Sequence, residues 1–239
     1  RSLIDSLGTT TGATSVGYYL RSLKMSASSV RERLSQEHWR IITRAEEDLF
    51  YRFATARRKA DFSAQQALQI LKDTSDHMAA ITGAQTDRMT RDDGWRLLSI
   101  GRHIERLSFL SQALSRALTC GSLATDSGFD AMVELFDNAI TFHAQFQQSR
   151  DMAALIDLLV LDRDNPRSLA WVARTMRERF LKLSRHEATW ANEVAASLPR
   201  PKDWPLAEMC RVDTSGQLSD LLPLLRDCSA QALALSDEL

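Results

Sequence analysis

The chain is poor in the residues that interrupt helices and in those that staple loops. Only nine glycines and five prolines occur in 239 residues, a balance that excludes fibrous and disordered chains and suits a mostly helical globular protein. Its three cysteines, Cys120, Cys210 and Cys228, are odd in number, far apart and without a C-x-x-C pair. That pattern argues against both a disulfide framework and a zinc site, and points to a reducing, cytoplasmic setting. Thirty basic residues face thirty-one acidic ones, so no global field is available to hold nucleic acid or an anionic membrane, and any anion site must be local. The strongest apolar run, "MAALIDLLVL" (152–161), is too short for a membrane span and is broken by Asp157. The opening residues do not read as a signal peptide, so none is expected here. Its first residue is Arg1 rather than methionine, which leads us to expect a processed chain or a fragment of a longer one.

Several kinds of chemistry are missing as well. None of the histidines, at 38, 77, 103, 143 and 186, has a glutamate three residues before it, as a di-iron bundle requires. H-x-x-x-H is absent, "GTTTG" (8–12) lacks the Lys-Ser/Thr of a phosphate loop, and neither G-x-G-x-x-G nor G-x-S-x-G occurs. No metal, no cofactor and no catalytic residue is therefore assigned.

What remains is helix. Apolar residues make up 44% of the chain and recur at spacings of three and four almost everywhere, while strict alternation is nearly absent. This reads as an all-α multi-helix bundle, long enough to bury a sizeable core. Helices are expected at about 16–25, 30–58, 63–81, 92–118, 129–148, 150–161, 166–197 and 216–236, with the prolines at 199, 201 and 205 marking a loop. Thr90 and Asp93 suggest a capping box for the fourth of these. A weak internal repeat relates "SVGYYLR" (15–21) to "SLAWVAR" (168–174), and "RER" recurs at 31–33 and 177–179. The chain then reads as one domain, 1–239, built from two related units of roughly 1–85 and 86–239.

Within the fourth helix, Leu97, Ile100, Ile104, Leu107, Ser111, Leu114 and Leu118 share one face and form a core seam. On nearly the opposite side lie Trp95, Arg102 and Phe109, flanked by Leu98, Glu105 and Arg106. Two readings stand open. Either Glu105 pairs with Arg102 while the arginine stems cover the aromatics, or the guanidiniums converge on a carboxylate or phosphate between helices. A second segment, "LDRDNPRSLAW" (161–171), offers Asp164 or Asn165 as a cap, with Arg167 and Ser168 beside free backbone N–H groups, a plausible anion site. A third, "SSVRERLSQEHW" (28–39), presents Arg31 and Arg33 with Glu32 and Glu37. The candidate binding set is thus Trp95, Arg102, Glu105, Arg106, Asn165, Arg167, Ser168 and Arg31.

The segments "TRDDGWRLLSIGRHIER" (90–106), "SSVRERLSQEHW" (28–39) and "LDRDNPRSLAWVARTMRERF" (161–180) resemble, in their order, the bacterial Alpha-E family, an all-helical domain named for a Glu-Arg motif seen here as Glu105-Arg106. The family pattern has a further Gly-Arg…Glu-Arg helix near its N-terminus that this chain lacks. "SLGTTTGATS" (6–15) also stands where an Asp-x-x-Asn-Pro loop is expected. The resemblance implies a circularly permuted ATP-grasp ligase as partner, sometimes fused, together with transglutaminase-like peptidases in peptide-modifying systems. On this reading the chain is an accessory helical domain, not itself an enzyme, whose arginine and glutamate surface meets a peptide or small anion. The alternatives are an enzyme of peptide or amide chemistry that uses the cluster, and a purely structural scaffold.

Overall fold

The computed structural model describes residues 7–11, 15–58, 62–146, 150–183, 188–214 and 216–238. Among them there is no strand, only a single bridge between Val212 and Leu218. The chain divides into two compact units, 1–90 and 91–239.

The first unit holds α1 (Val16–Ser29), α2 (Gln36–Arg57) and α3 (Ala64–Asp87), with α2 packed on both of the others. Leu20, Ile42, Leu49, Phe53, Ile70 and Ile81 form its core. The helix expected from residue 30 begins only at Gln36. Val30 to Ser35 are diverted into a single 3-10 turn, Arg31–Arg33, closed by Arg31 Nη1 donating to Leu34 O at 2.8 Å, and Ser35 then caps α2 by accepting from His38 N. In contrast, α3 runs past its expected end at 81 to Asp87, because Ala84 and Gln85 continue its buried row through "TGAQT". A buried carboxylate ties α1 to α2. Burial alone would raise the Glu46 pKa, but Lys24 at 2.7 Å and Arg21 at 3.3 Å outweigh it and hold the carboxyl below its usual range.

The second unit is organised around α4 (Asp93–Thr119), about 40 Å long. Asp92, not Thr90, caps it by accepting from Trp95 N at 3.0 Å. It stops at Cys120 because Gly121 takes a left-handed φ of 67° and returns its N–H to Leu118 O. After it come α5 (Asp126–Leu135) and α6 (Ala139–Phe146), where one helix over 129–148 was expected. The break falls at Asp137, whose φ is 53°, and Asn138 secures it by donating to Phe136 O. Residues 147–149 lie outside the described set, as do 184–187 within the expected helix 166–197.

Next, α7 (Met152–Ile156) continues into a π-helical turn, Asp157–Leu161, closed by Asp162 N–H to Asp157 O at 2.8 Å. The wider turn places three successive residues, Leu158, Leu159 and Val160, in the core. The remaining helices are α8 (Leu169–Leu183), α9 (Ala188–Ser197), α10 (Leu206–Met209) and α11 (Leu221–Glu238). Arg177 of α8 stoppers α9 by donating to the carbonyls of Ala195, Leu198 and Pro199 at its negative end. Among the described residues no helix is long and apolar enough to cross a membrane.

Two of α4's sides are covered, one by α11 and one by α8. At about 100° per residue its buried positions, from Trp95 round to Ser108, sweep an arc of about 220°. The seam read from the sequence is the middle of that arc. Leu97, placed in the seam, is instead 49% exposed, and Trp95, placed opposite it, is buried.

The two units share one local device. Ser15 Oγ donates to Thr9 O and accepts from Tyr18 N at the start of α1. Ser168 Oγ donates to Asp162 O and accepts from Trp171 N at the start of α8. In each case a buried serine binds the carbonyl six residues back and caps the helix ahead, with an aromatic residue at the capped position. Removing either hydroxyl loses the cap and strands a carbonyl. Ser15→Ala and Ser168→Ala are each expected to cost about 2 kcal/mol, measured by urea unfolding, whereas the exposed capping change Thr125→Ala costs about 1 kcal/mol or less.

Candidate functional site

Adjacent residues on a helix point about 100° apart, so Glu105 and Arg106 cannot face one surface together. Glu105 is exposed, and among the described residues it forms no ion pair or hydrogen bond. Arg106 turns the other way, toward α8, and is half-buried. Its Nη1 donates to Pro166 O in the loop before α8 at a long 3.5 Å.

Three positions one turn apart on α4, Trp95, Ser99 and His103, form the row that meets α8. Antiparallel packing sets the two ends. At one end, Arg179 of α8 lies 4.7 Å over the Trp95 ring and donates from Nε to Ser99 Oγ at 3.4 Å, while Arg91 covers the same ring at 5.3 Å. In the middle the His103 ring stacks on Trp171 with centroids 5.6 Å apart. At the far end Arg106 meets the loop that carries Arg167.

This strip concentrates positive charge where solvent is scarce. Burial lowers the pKa of Arg102, and burial together with the charges of Arg167 and Arg102 lowers that of Arg106. Both stay ionised at neutral pH, so the depression measures how unfavourable their charge is where it stands. Arg167 has a partner, Asp137, at 2.8 Å. Among the described residues no carboxylate pairs with Arg106. His103 feels the same field. Its Nδ1–H donates to Ser99 O, and burial, then Arg106, Arg102 and Arg179, push its pKa down to about 4. The ring is therefore neutral, with Nε2 a buried acceptor that has no hydrogen-bond partner among the described residues.

The other sequence candidates fall out differently. Asn165 and Ser168 lie beside Arg106 and Arg167, but their polar atoms serve the loop itself. Asn165 donates to Leu158 O and accepts from Arg167 N, Asp162 Oδ1 receives the N–H groups of Asp164 and Asn165, and Ser168 is fully buried. Arg31 belongs to the first unit, where it lies 5.4 Å over Trp39. Phe109 is 52% exposed and lines a depression of about 490 Å³ with Met132 and Leu135, further along α4 than the arginines. Sequence reasoning passed over Arg179 and Trp171. The signal for Arg179 is the Glu-Arg dipeptide at 178–179, which counts in the sequence as part of the repeat and of the 161–180 resemblance segment but not as a candidate site. Among the described residues no group of three or more His, Cys, Asp or Glu side chains gathers to hold a metal ion.

Comparison with known proteins adds the following. A family model described as a predicted alpha-helical domain with a conserved ER motif matches residues 2–239. Uncharacterized protein Rv2567 of Mycobacterium tuberculosis and Uncharacterized protein Mb2597 of Mycobacterium bovis are each 23% identical to the chain over 210 residues, 85% of its length. The chain spans only about a quarter of those relatives, 24% of each. No solved structure matches it.

The buried histidine makes stability depend on pH. An unfolded histidine titrates near pH ~6.5, whereas His103 holds off its proton until about pH 4. As pH falls between those values the unfolded chain gains a proton that the native state refuses, so stability is lost in that window, in full on the order of 3 kcal/mol. Urea unfolding from about pH 7 to about pH 4.5 should show His103→Gln losing less stability than the wild type, by on the order of 2 kcal/mol. Equal losses would mean that His103 is not held neutral.

Proposed function

The chain belongs to the Alpha-E family, and on that premise we propose that it is an accessory helical domain of a peptide-modification system. Its partner is an ATP-grasp amide or peptide ligase, and its contribution is the strip of arginines between α4 and α8. The observation that supports this is Arg106: half-buried, next to two further guanidiniums, with a backbone carbonyl as its hydrogen-bond acceptor. Charge held where burial and like charges oppose it costs stability, and such a cost is expected where the residue serves binding. A carboxylate or phosphate placed there would accept from two guanidiniums and relieve their repulsion. The ligase partner follows from the family resemblance, and the greater length of the mycobacterial relatives leaves room for further domains beside this one.

A catalytic reading is weaker. Glu105, the carboxylate that would move protons, is exposed, whereas general acid–base work at neutral pH calls for a carboxylate in an enclosed site. A structural reading has one observation in its favour, the Arg179 guanidinium packed between Trp95 and Ser99, which ties α8 to α4.

Neutralising Arg106 separates these readings. In calorimetric titration with inorganic phosphate, ATP and an ATP-grasp ligase from the same organism, Arg106→Gln should bind at least about tenfold more weakly, about 1.4 kcal/mol, than the wild type. Its unfolding free energy should change by less than about 1 kcal/mol or rise, because a repelled charge is removed. Unaltered binding with a large loss of stability would make the arginine an internal clamp.

A further inference from the structure

We infer that the strip between α4 and α8 takes an extended, carboxylate-rich peptide of about four or five residues rather than a single small anion. This rests on reading the arginines as an anion site and specifies the ligand of that site. The cations are spread along the helices, not gathered at a point: Arg91 and Arg179 at the Trp95 end, Arg102 between, and Arg106 with Arg167 at the other end. From Trp95 to Arg106 the α4 axis advances about 16 Å, well beyond the reach of one phosphate but the length of about five residues of extended chain. The pitch also agrees. Arg102 and Arg106 are one turn apart, about 6 Å along the axis, and alternate side chains of an extended peptide repeat every 6.5 to 7 Å, roughly.

One feature favours a peptide over single-stranded nucleic acid. Single-stranded nucleic acid would need open aromatic faces for its bases. Here Trp95 is buried beneath two guanidiniums and the His103 ring is already stacked on Trp171.

The test is fluorescence anisotropy with the full chain and labelled hexaglutamate, in competition with diglutamate, inorganic phosphate, polyphosphate and a thymidine oligonucleotide. Hexaglutamate should bind at least about tenfold tighter than diglutamate at fixed salt. Arg91→Gln and Arg106→Gln, at the two ends, should each weaken it by about three- to tenfold, with only Arg106→Gln affecting phosphate. Circular dichroism verifies folding, and Arg106→Lys, which keeps the charge, serves as a second variant that should retain most of the affinity. If diglutamate and phosphate match hexaglutamate and depend on Arg106, the single-anion reading stands and the extended ligand is overturned. If polyphosphate or the oligonucleotide binds more tightly than hexaglutamate, the peptide assignment is wrong. Absence of binding by any of these probes would overturn both.

Discussion

Packing α8 against α4 places guanidiniums from both helices along one seam, where each must be accommodated. Arginine cannot shed its proton, so each of these side chains must find acceptors, an aromatic face or a ligand. Arg179 finds Trp95 and Ser99, Arg167 finds Asp137, and Arg106 finds the carbonyl of Pro166. That carbonyl is held in position by a loop in which Asp162, Asn165 and Ser168 bond almost entirely to their own backbone. The polar atoms of Asp162, Asn165 and Ser168 therefore shape the loop, and Arg167 is the side chain it brings to the site. His103 shows how dry the seam is, since burial first, and the nearby guanidiniums after it, keep a ring stacked on tryptophan neutral well below the usual histidine range.

The helical class was legible because period and composition agree along nearly the whole chain, and most helix ends follow from visible caps. Where the reading failed, a side chain had competed locally with the helix. The Arg31–Arg33 turn closes on Leu34 O through the Arg31 guanidinium, and Ser35 starts a new helix that the apolar pattern does not demand. Asn138 breaks the expected helix after Phe136 in the same way. The opposite error arose at "TGAQT", where a glycine and two threonines look like a connector but Ala84 and Gln85 are buried and carry α3 onward.

The candidate site was legible in part. Arg102 and Arg106 stand out on a helical wheel, but a wheel supplies one buried face, and α4 is packed on two sides, by α8 and by α11. Trp95 and His103 therefore belong to the covered arc, and the arginines stand at its rim. The orientation of Glu105 was available from geometry alone, because neighbouring residues diverge by about 100°. What no spacing could supply is the meeting of Arg106 with Arg167 across the loop before α8, which depends on how the two helices pack. The recurrence of the buried serine at 15 and 168 is the reverse case: a weak sequence repeat that corresponds to one hydrogen-bonding device used twice.

The central claim is that the α4–α8 arginines bind an anion, and it is tested most directly by NMR of the full chain with isotope-labelled arginine while hexaglutamate is added. The account predicts that the Nε–H signals of Arg102 and Arg106 shift and saturate, while those of Arg40 and Arg52 in the first unit, paired on its surface with Glu37 and Asp73, stay in place. Uniform small shifts across all arginines, or no change at Arg102 and Arg106, would contradict it.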